Sequence, residues 1–158
     1  MPTSAQRNSS SSRGLLPEGG FNALVPELDV TNIKASLDFW CGPLGFKVAY
    51  DRPAAKFAYL QREGAQVMLC QINGNWTVAP LEQPFGRGVN FQFKTASLAP
   101  ILAALAEFGW PLFREPYEAW YRTGTNHEGG TLEFLVQDPD GYLLRFAEGI
   151  GERTASPE

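Results

Sequence analysis

The 158-residue chain is 44% hydrophobic and 13% aromatic, enough to fill one buried core and too apolar to remain unfolded. Its net charge of −4 comes without clustered Lys and Arg, which excludes a nucleic acid as partner and leaves a cationic ligand compatible. No run approaches the twenty apolar residues of a membrane span or the apolar segment of a secretory leader, so no membrane partner is expected.

Residues 1–21 include the run Ser9-Ser10-Ser11-Ser12 and offer almost nothing to bury, so a disordered tail is expected there. The single domain is expected over residues 22–149, with a second tail over 150–158. Residues 23–30 read as a strand. Asn32 then offers a capping oxygen to a helix whose apolar positions Ile33, Leu37, Cys41 and Leu44 fall at helical spacing, ended by Gly45. Three short strands follow over residues 47–51, 56–61 and 66–72, the last two joined by a tight turn at Glu63-Gly64. Cys41 and Cys70, outside any C-x-x-C pair, read as buried thiols in a reducing cytoplasm. Residues 73–87, rich in Gly, Asn and Pro, read as a linker.

The pattern then recurs. Residues 89–95 alternate as a half-buried strand, Ser97 stands where a cap is needed, and Leu98, Leu102, Leu105 and Phe108 repeat the helical spacing before Gly109. Pro100 falls in the first helical turn, where its missing donor has no partner in any case. Asn32 aligns with Ser97, Leu37 with Leu102, and Leu44-Gly45-Phe46 with Phe108-Gly109-Trp110, an offset of 65 residues in each case but the exits, where it is 64. Residues 111–114 form an extended exit and residues 120–123 a strand. Residues 131–137 return through Asp138-Pro139-Asp140-Gly141 into a last strand over 142–147. The expectation is an α+β domain built twice from a β-α-β-β-β module, about residues 22–72 and 88–149.

Ser36-Leu37-Asp38-Phe39-Trp40 with Leu44-Gly45-Phe46, and Glu133 through Tyr142 around the D-P-D-G turn, resemble the vicinal-oxygen-chelate superfamily, also called the glyoxalase/bleomycin resistance/dioxygenase superfamily. Within it the chain is most similar to the bleomycin-resistance-like branch. The resemblance implies curled mixed sheets around a cleft and a homodimer whose subunits complete each other's clefts. Catalytic members hold a divalent metal with four His, Gln or Glu side chains. The matching positions here are Val25, Leu69 give or take one, Asn90 and Arg145, none of them an anionic or imidazole donor, so no metal and no other cofactor is expected. His127 lies in a polar stretch over residues 124–130 and reads as solvated. No nucleotide loop, nucleophile elbow or acid–base pair stands out.

Binding without catalysis is the function expected: sequestration of a small molecule, for which the resemblance implies the flat, cationic, bleomycin-like kind. A metal-dependent glyoxalase or dioxygenase-type enzyme is the alternative. Strand alternation puts Val89, Phe91, Phe93, Leu144 and Phe146 toward the core, leaving Asn90, Gln92 and Arg145 for the cleft. Glu27, Tyr59, Trp120, Tyr121 and Glu133 complete the candidate cleft residues, aromatic rings for stacking and polar groups for orientation. Trp120 and Tyr121 point to opposite faces, and the sequence leaves open which of them meets the cleft. Resistance proteins tend to carry a Trp just before the seventh strand, where this chain has Gly129-Gly130.

Overall fold

The computed structural model describes residues 16–156. Strand β1 (Glu27–Val30) leads into helix α1 (Ile33–Cys41), whose N-terminus is capped as expected, the Asn32 side chain accepting from the Ala35 amide at 3.0 Å. Strands β2 (Lys47–Arg52), β3 (Phe57–Arg62) and β4 (Ala65–Gln71) complete the first module. The second comprises β5 (Asn90–Lys94), α2 (Ala99–Phe108), β6 (Arg114–Gly124), β7 (His127–Gln137) and β8 (Leu143–Thr154). The two sheets have the same topology, β1-β4-β3-β2 and β5-β8-β7-β6, with a parallel pair at one edge and antiparallel pairs beyond it. The α+β duplication expected from sequence is therefore present, as two open four-stranded sheets.

Alternation decides which face of each sheet is buried. Leu28, Val30, Ala58, Leu60, Val67 and Leu69 from the first sheet, and Phe93, Phe134, Val136, Leu144 and Phe146 from the second, join one apolar cluster with side chains of both helices. Trp40 of α1 packs edge-on against Phe46, at 5.0 Å between centroids, and against Phe93 of the other module at 6.0 Å. Phe39 instead meets Trp110 and Phe108 of the second module. Each such side chain contributes roughly 1.5–3 kcal/mol on leaving water, so the modules hold together through a shared core and leave the opposite sheet faces outside it.

The D-P-D-G turn clasps the modules. Buried Asp138 accepts the amides of Asp140 and Tyr142 on Oδ1 and the Trp40 indole N–H on Oδ2, at 2.9–3.1 Å. Asp140 accepts the Thr31 hydroxyl at 2.6 Å and its amide at 3.1 Å, and the Tyr142 hydroxyl donates to the Asp29 carbonyl at 2.9 Å. Burial, reinforced by neighbouring Asp140, pushes the Asp138 carboxyl up to about 6 although its N–H donors oppose the shift. Gly141 adopts φ +94°, and a Cβ there would lie 2.5 Å from Pro84, so only glycine closes this turn.

Several sequence expectations require correction. β1 starts at Glu27 and not at residue 23, since Pro26 has no N–H to give a ladder. Ser97 does not cap α2. The Leu98 amide donates instead to Glu148 of β8, 50 residues away, at 2.8 Å. His127 is a strand residue, paired with Gly124 and Thr154, and the proposed C-terminal tail is strand as far as Thr154. Of the expected disordered tail, residues 1–15 with the serine run lie outside the described residues, whereas residues 16–21 are in place against the first sheet.

Candidate functional site

The faces turned away from the shared core differ in chemistry. On the second sheet, Arg145 alternates with core residues Leu144 and Phe146, and Glu133 with Phe134, which sends both charged side chains to the outer side. The strand order brings together residues far apart in sequence. Gln92 of β5 accepts from the Arg145 Nη2 of β8 at 2.7 Å; the Arg145 Nη1 lies 3.6 Å from Glu133 of β7; and Glu133 accepts the hydroxyls of Tyr117 and Tyr121 of β6 at 2.8 and 3.2 Å. Thr131 donates to the other carboxylate oxygen at 2.7 Å. The result is a polar row crossing all four strands.

Glu133 is completely buried and still charged. Burial alone would raise its pKa, but the hydroxyls of Thr131 and Tyr117, the Arg145 guanidinium and the Tyr121 hydroxyl together outweigh it and hold the carboxyl below its usual range. The same arrangement pushes the Tyr117 phenol up to about 12, by burial first and then by its bond to the carboxylate, so Tyr117 stays a donor at neutral pH. With both oxygens engaged and no exposed surface, Glu133 is out of a ligand's reach. It positions Tyr117, Tyr121 and Arg145. What the row presents outward is the half-exposed ring of Tyr121, the exposed amide of Gln92 and one part of the Arg145 guanidinium. The Arg145 Nε, buried and without a partner, is the one polar atom of the row left unsatisfied.

Asn90 lies exposed at the start of β5, opposite Leu143. Trp120 is directed to the opposite side from Tyr121: its ring covers Gly130, where an added Cβ would approach to 2.7 Å, and Arg153 lies 4.1 Å above it. Gly130 is thus the flat seat of Trp120, and of the Trp120-Tyr121 pair it is Tyr121 that joins the row. Glu27 and Tyr59 belong to the outer face of the first sheet, with Tyr59 buried and bonded to Gln66. Sequence reasoning missed Tyr117, Thr131 and Arg114, whose guanidinium lies 3.7 Å over the Tyr117 ring. The signal was available: Tyr117 and Tyr121 are four apart, and Thr131 and Glu133 two apart, each pair on one strand face.

The observed register narrows one of the four positions at which catalytic relatives hold metal, within the one-residue margin of the sequence reading. Glu27 pairs with Met68 as Gln92 pairs with Arg145, so the fourth-strand position is Met68, while Leu69 is core. Val25, Met68, Asn90 and Arg145 do not fit a divalent cation, since a thioether and a neutral amide are poor donors and a guanidinium repels the ion.

A family model described as the glyoxalase/bleomycin resistance protein/dioxygenase superfamily matches residues 23–146. No functionally curated protein matches the chain. Among solved structures, TioX from Micromonospora sp. ML1 is similar with a TM-score of 0.61 and 19% identity, over 82% of this chain and 100% of that one. A virulence protein from Salmonella typhimurium gives 0.59 and 18%, over 81% and 96%. A protein titled glyoxalase/bleomycin resistance protein/dioxygenase from Alicyclobacillus acidocaldarius gives 0.55 and 18%, over 82% and 92%. At these identities the likeness is one of fold.

Proposed function

Since this chain belongs to the glyoxalase/bleomycin resistance protein/dioxygenase superfamily, we propose that it is a non-catalytic small-molecule binding protein that acts by sequestration. The observation that carries this reading is the hydrogen-bonded polar row of the second sheet, with its carboxylate buried beneath its donors. Its only carboxylate is spent on orienting neighbours, and its outward groups are a tyrosine ring, an amide and a guanidinium, which recognise without reacting. A general base needs a lone pair within reach of substrate, and Glu133, 0% exposed beneath its three hydroxyl donors, offers none to a molecule in the groove.

The ligand is a planar aromatic that stacks on Tyr121 and hydrogen-bonds to Gln92. A bleomycin-like cation suits the net charge of −4, and the ring face of Tyr121 supplies cation–π attraction. The chain acts as a homodimer in the cytoplasm. Exposed apolar side chains at Val48, Ile72, Trp76, Val78 and Val89 support the association, because a lone subunit would leave them in water. No described helix is long and apolar enough to cross a membrane.

Calorimetric titration of purified protein with metal-free bleomycin and a panel of cationic aromatics, beside elemental analysis, tests the proposal. Saturable binding at two sites per dimer in metal-free protein is expected. Stoichiometric Zn, Mn, Ni or Fe with no binding of the panel would replace sequestration by the metal-dependent enzyme.

A further inference from the structure

The outer face of the first sheet carries an apolar patch of Ala49, Phe57, Tyr59 and Cys70, flanked by Tyr50 and Met68. Tyr50 and Tyr59 stack at 5.0 Å with 19° between their planes. Across the patch runs the chain's own segment, residues 17–22. Phe21 sets its edge against both tyrosines, 5.5 Å from Tyr59 and 6.3 Å from Tyr50. Gln66, 6% exposed, reads the backbone on either side of that ring: its Nε2 donates to the Gly20 carbonyl at 2.7 Å, and its Oε1 accepts the Asn22 amide at 2.9 Å. The Tyr59 hydroxyl donates to the same Oε1. A single buried amide thus satisfies both its donor and its acceptor on the two peptide groups that flank one aromatic residue. That is the contact set of a bound ligand.

The segment is lightly held for something that covers a core-like patch. It forms no strand, and besides the Gln66 pair its bonds to the sheet are Glu18 N–H to Gln61 and the Asn22 side chain to the Gly64 carbonyl. Pro17 is buried, but Phe21 is 57% exposed and Leu24 84%, and Gly19 and Gly20 are both at positive φ, so beyond Pro17 the path is glycine-dependent and largely open to solvent. Segments with few buried contacts open at low free energy, well before the fold does. Once the segment leaves, Gln66 Nε2 and one lone pair of its Oε1, which keeps the Tyr59 hydroxyl, are left to water beside a tyrosine pair, a set that a ligand with the same groups engages again.

We propose that the outer face of the first sheet is a second binding site, for an aromatic residue flanked by amide bonds as in a peptide, which the chain fills with its own Phe21 and yields to a competing peptidic ligand. Within one chain the site lies on a different sheet from the second-sheet row, and its test reads residues that the sequestration reading does not use.

The test uses the full chain and a blocked synthetic peptide with the sequence of residues 18–24, followed by chemical-shift mapping at millimolar peptide. Phe21→Ala removes the resident ring at an exposed position, and circular dichroism checks that the fold survives. The peptide should bind Phe21→Ala about tenfold or more tightly than wild type, since the internal competitor is gone. The shifts should centre on Tyr50, Tyr59 and Gln66. A peptide with Ala in place of Phe should not bind, and Gln66→Met in the Phe21→Ala background should abolish the gain. Should Gln66→Met fail to fold, the Ala-peptide comparison decides alone. Equal binding to both proteins, no binding to either, or shifts centred elsewhere would overturn the proposal.

Discussion

The two sheets share a topology and a register yet present opposite outer faces. Phe57 pairs with Cys70 in the first and Glu133 with Ala147 in the second, and the matched pairs Glu27–Met68 and Gln92–Arg145 make Phe57 and Glu133 equivalent positions. One position buries a ring beside Tyr50 with the Arg52 guanidinium over it. The other buries a carboxylate among hydroxyls and leaves its neighbours open to solvent. The backbone of the module therefore fixes where an outward side chain stands, and residue type alone decides whether that face is closed by packing or held ready by hydrogen bonds.

The contrast is broken most directly at Glu133. Glu133→Ala leaves a guanidinium and three hydroxyls without their acceptor, and a loss of about 3–5 kcal/mol in urea unfolding is expected. A loss below about 1 kcal/mol would mean that the row contributes no more than ordinary surface polar groups do.

A second prediction separates the faces by pH. Glu133 has its carboxyl held low, so its stabilisation is complete above the ordinary carboxylate range and is lost as pH falls below it; Phe57, at the equivalent position, does not titrate. Asp138, in the clasp between modules, has the opposite sign. Its carboxyl is raised from 3.8 to about 6, so stability is greatest below pH 3.8 and is lost as pH rises through 6, by about 3 kcal/mol in all. Denaturation of wild type and Asp138→Asn between pH 4 and 7 should show the decline in wild type only. A parallel decline in both would place its origin elsewhere.

Finer resolution comes from the tyrosines. Tyr117→Phe removes a 2.8 Å bond from a half-buried phenol to a buried carboxylate and should cost about 1.5–3 kcal/mol. Tyr121→Phe removes a 3.2 Å bond from an exposed one and should cost about 0.5–1.5 kcal/mol. The reverse order, by the same unfolding assay, would contradict the geometry of the row. Smallest of all in stability is Gln92→Ala, at about 0.5 kcal/mol for an exposed side chain. Its ligand affinity should nevertheless fall, which is the mark of a recognition group.

The sequence made the duplication legible because helix caps, apolar spacing and turn residues are local signals: Asn32, the Glu63-Gly64 turn and the D-P-D-G clasp all stand where reading along the chain puts them. It also assigned Arg145, Gln92 and Glu133 to the outer face, since strand alternation requires nothing beyond the neighbours. What it missed depends on partners distant in sequence. The α2 cap comes from Glu148 because Leu98, and not Ser97, sits at the helix start. Residues 16–22 carry no periodicity, and their order comes from Gln61, Gly64 and Gln66, more than forty positions away. The long β6–β8 extension is rich in glycine and polar residues, and an expected tail is strand through its ladder with β7, where Gly130 admits Trp120 and Arg153 pairs with Glu128.

The central claim is that the second sheet's outer face is the ligand groove. Backbone and side-chain chemical shifts followed during titration with metal-free bleomycin address it without perturbing the fold. Saturable shifts at Gln92, Tyr121 and Arg145, leaving the first sheet unchanged, are the predicted result; shifts absent from these three residues while bleomycin binds elsewhere on the chain would contradict it.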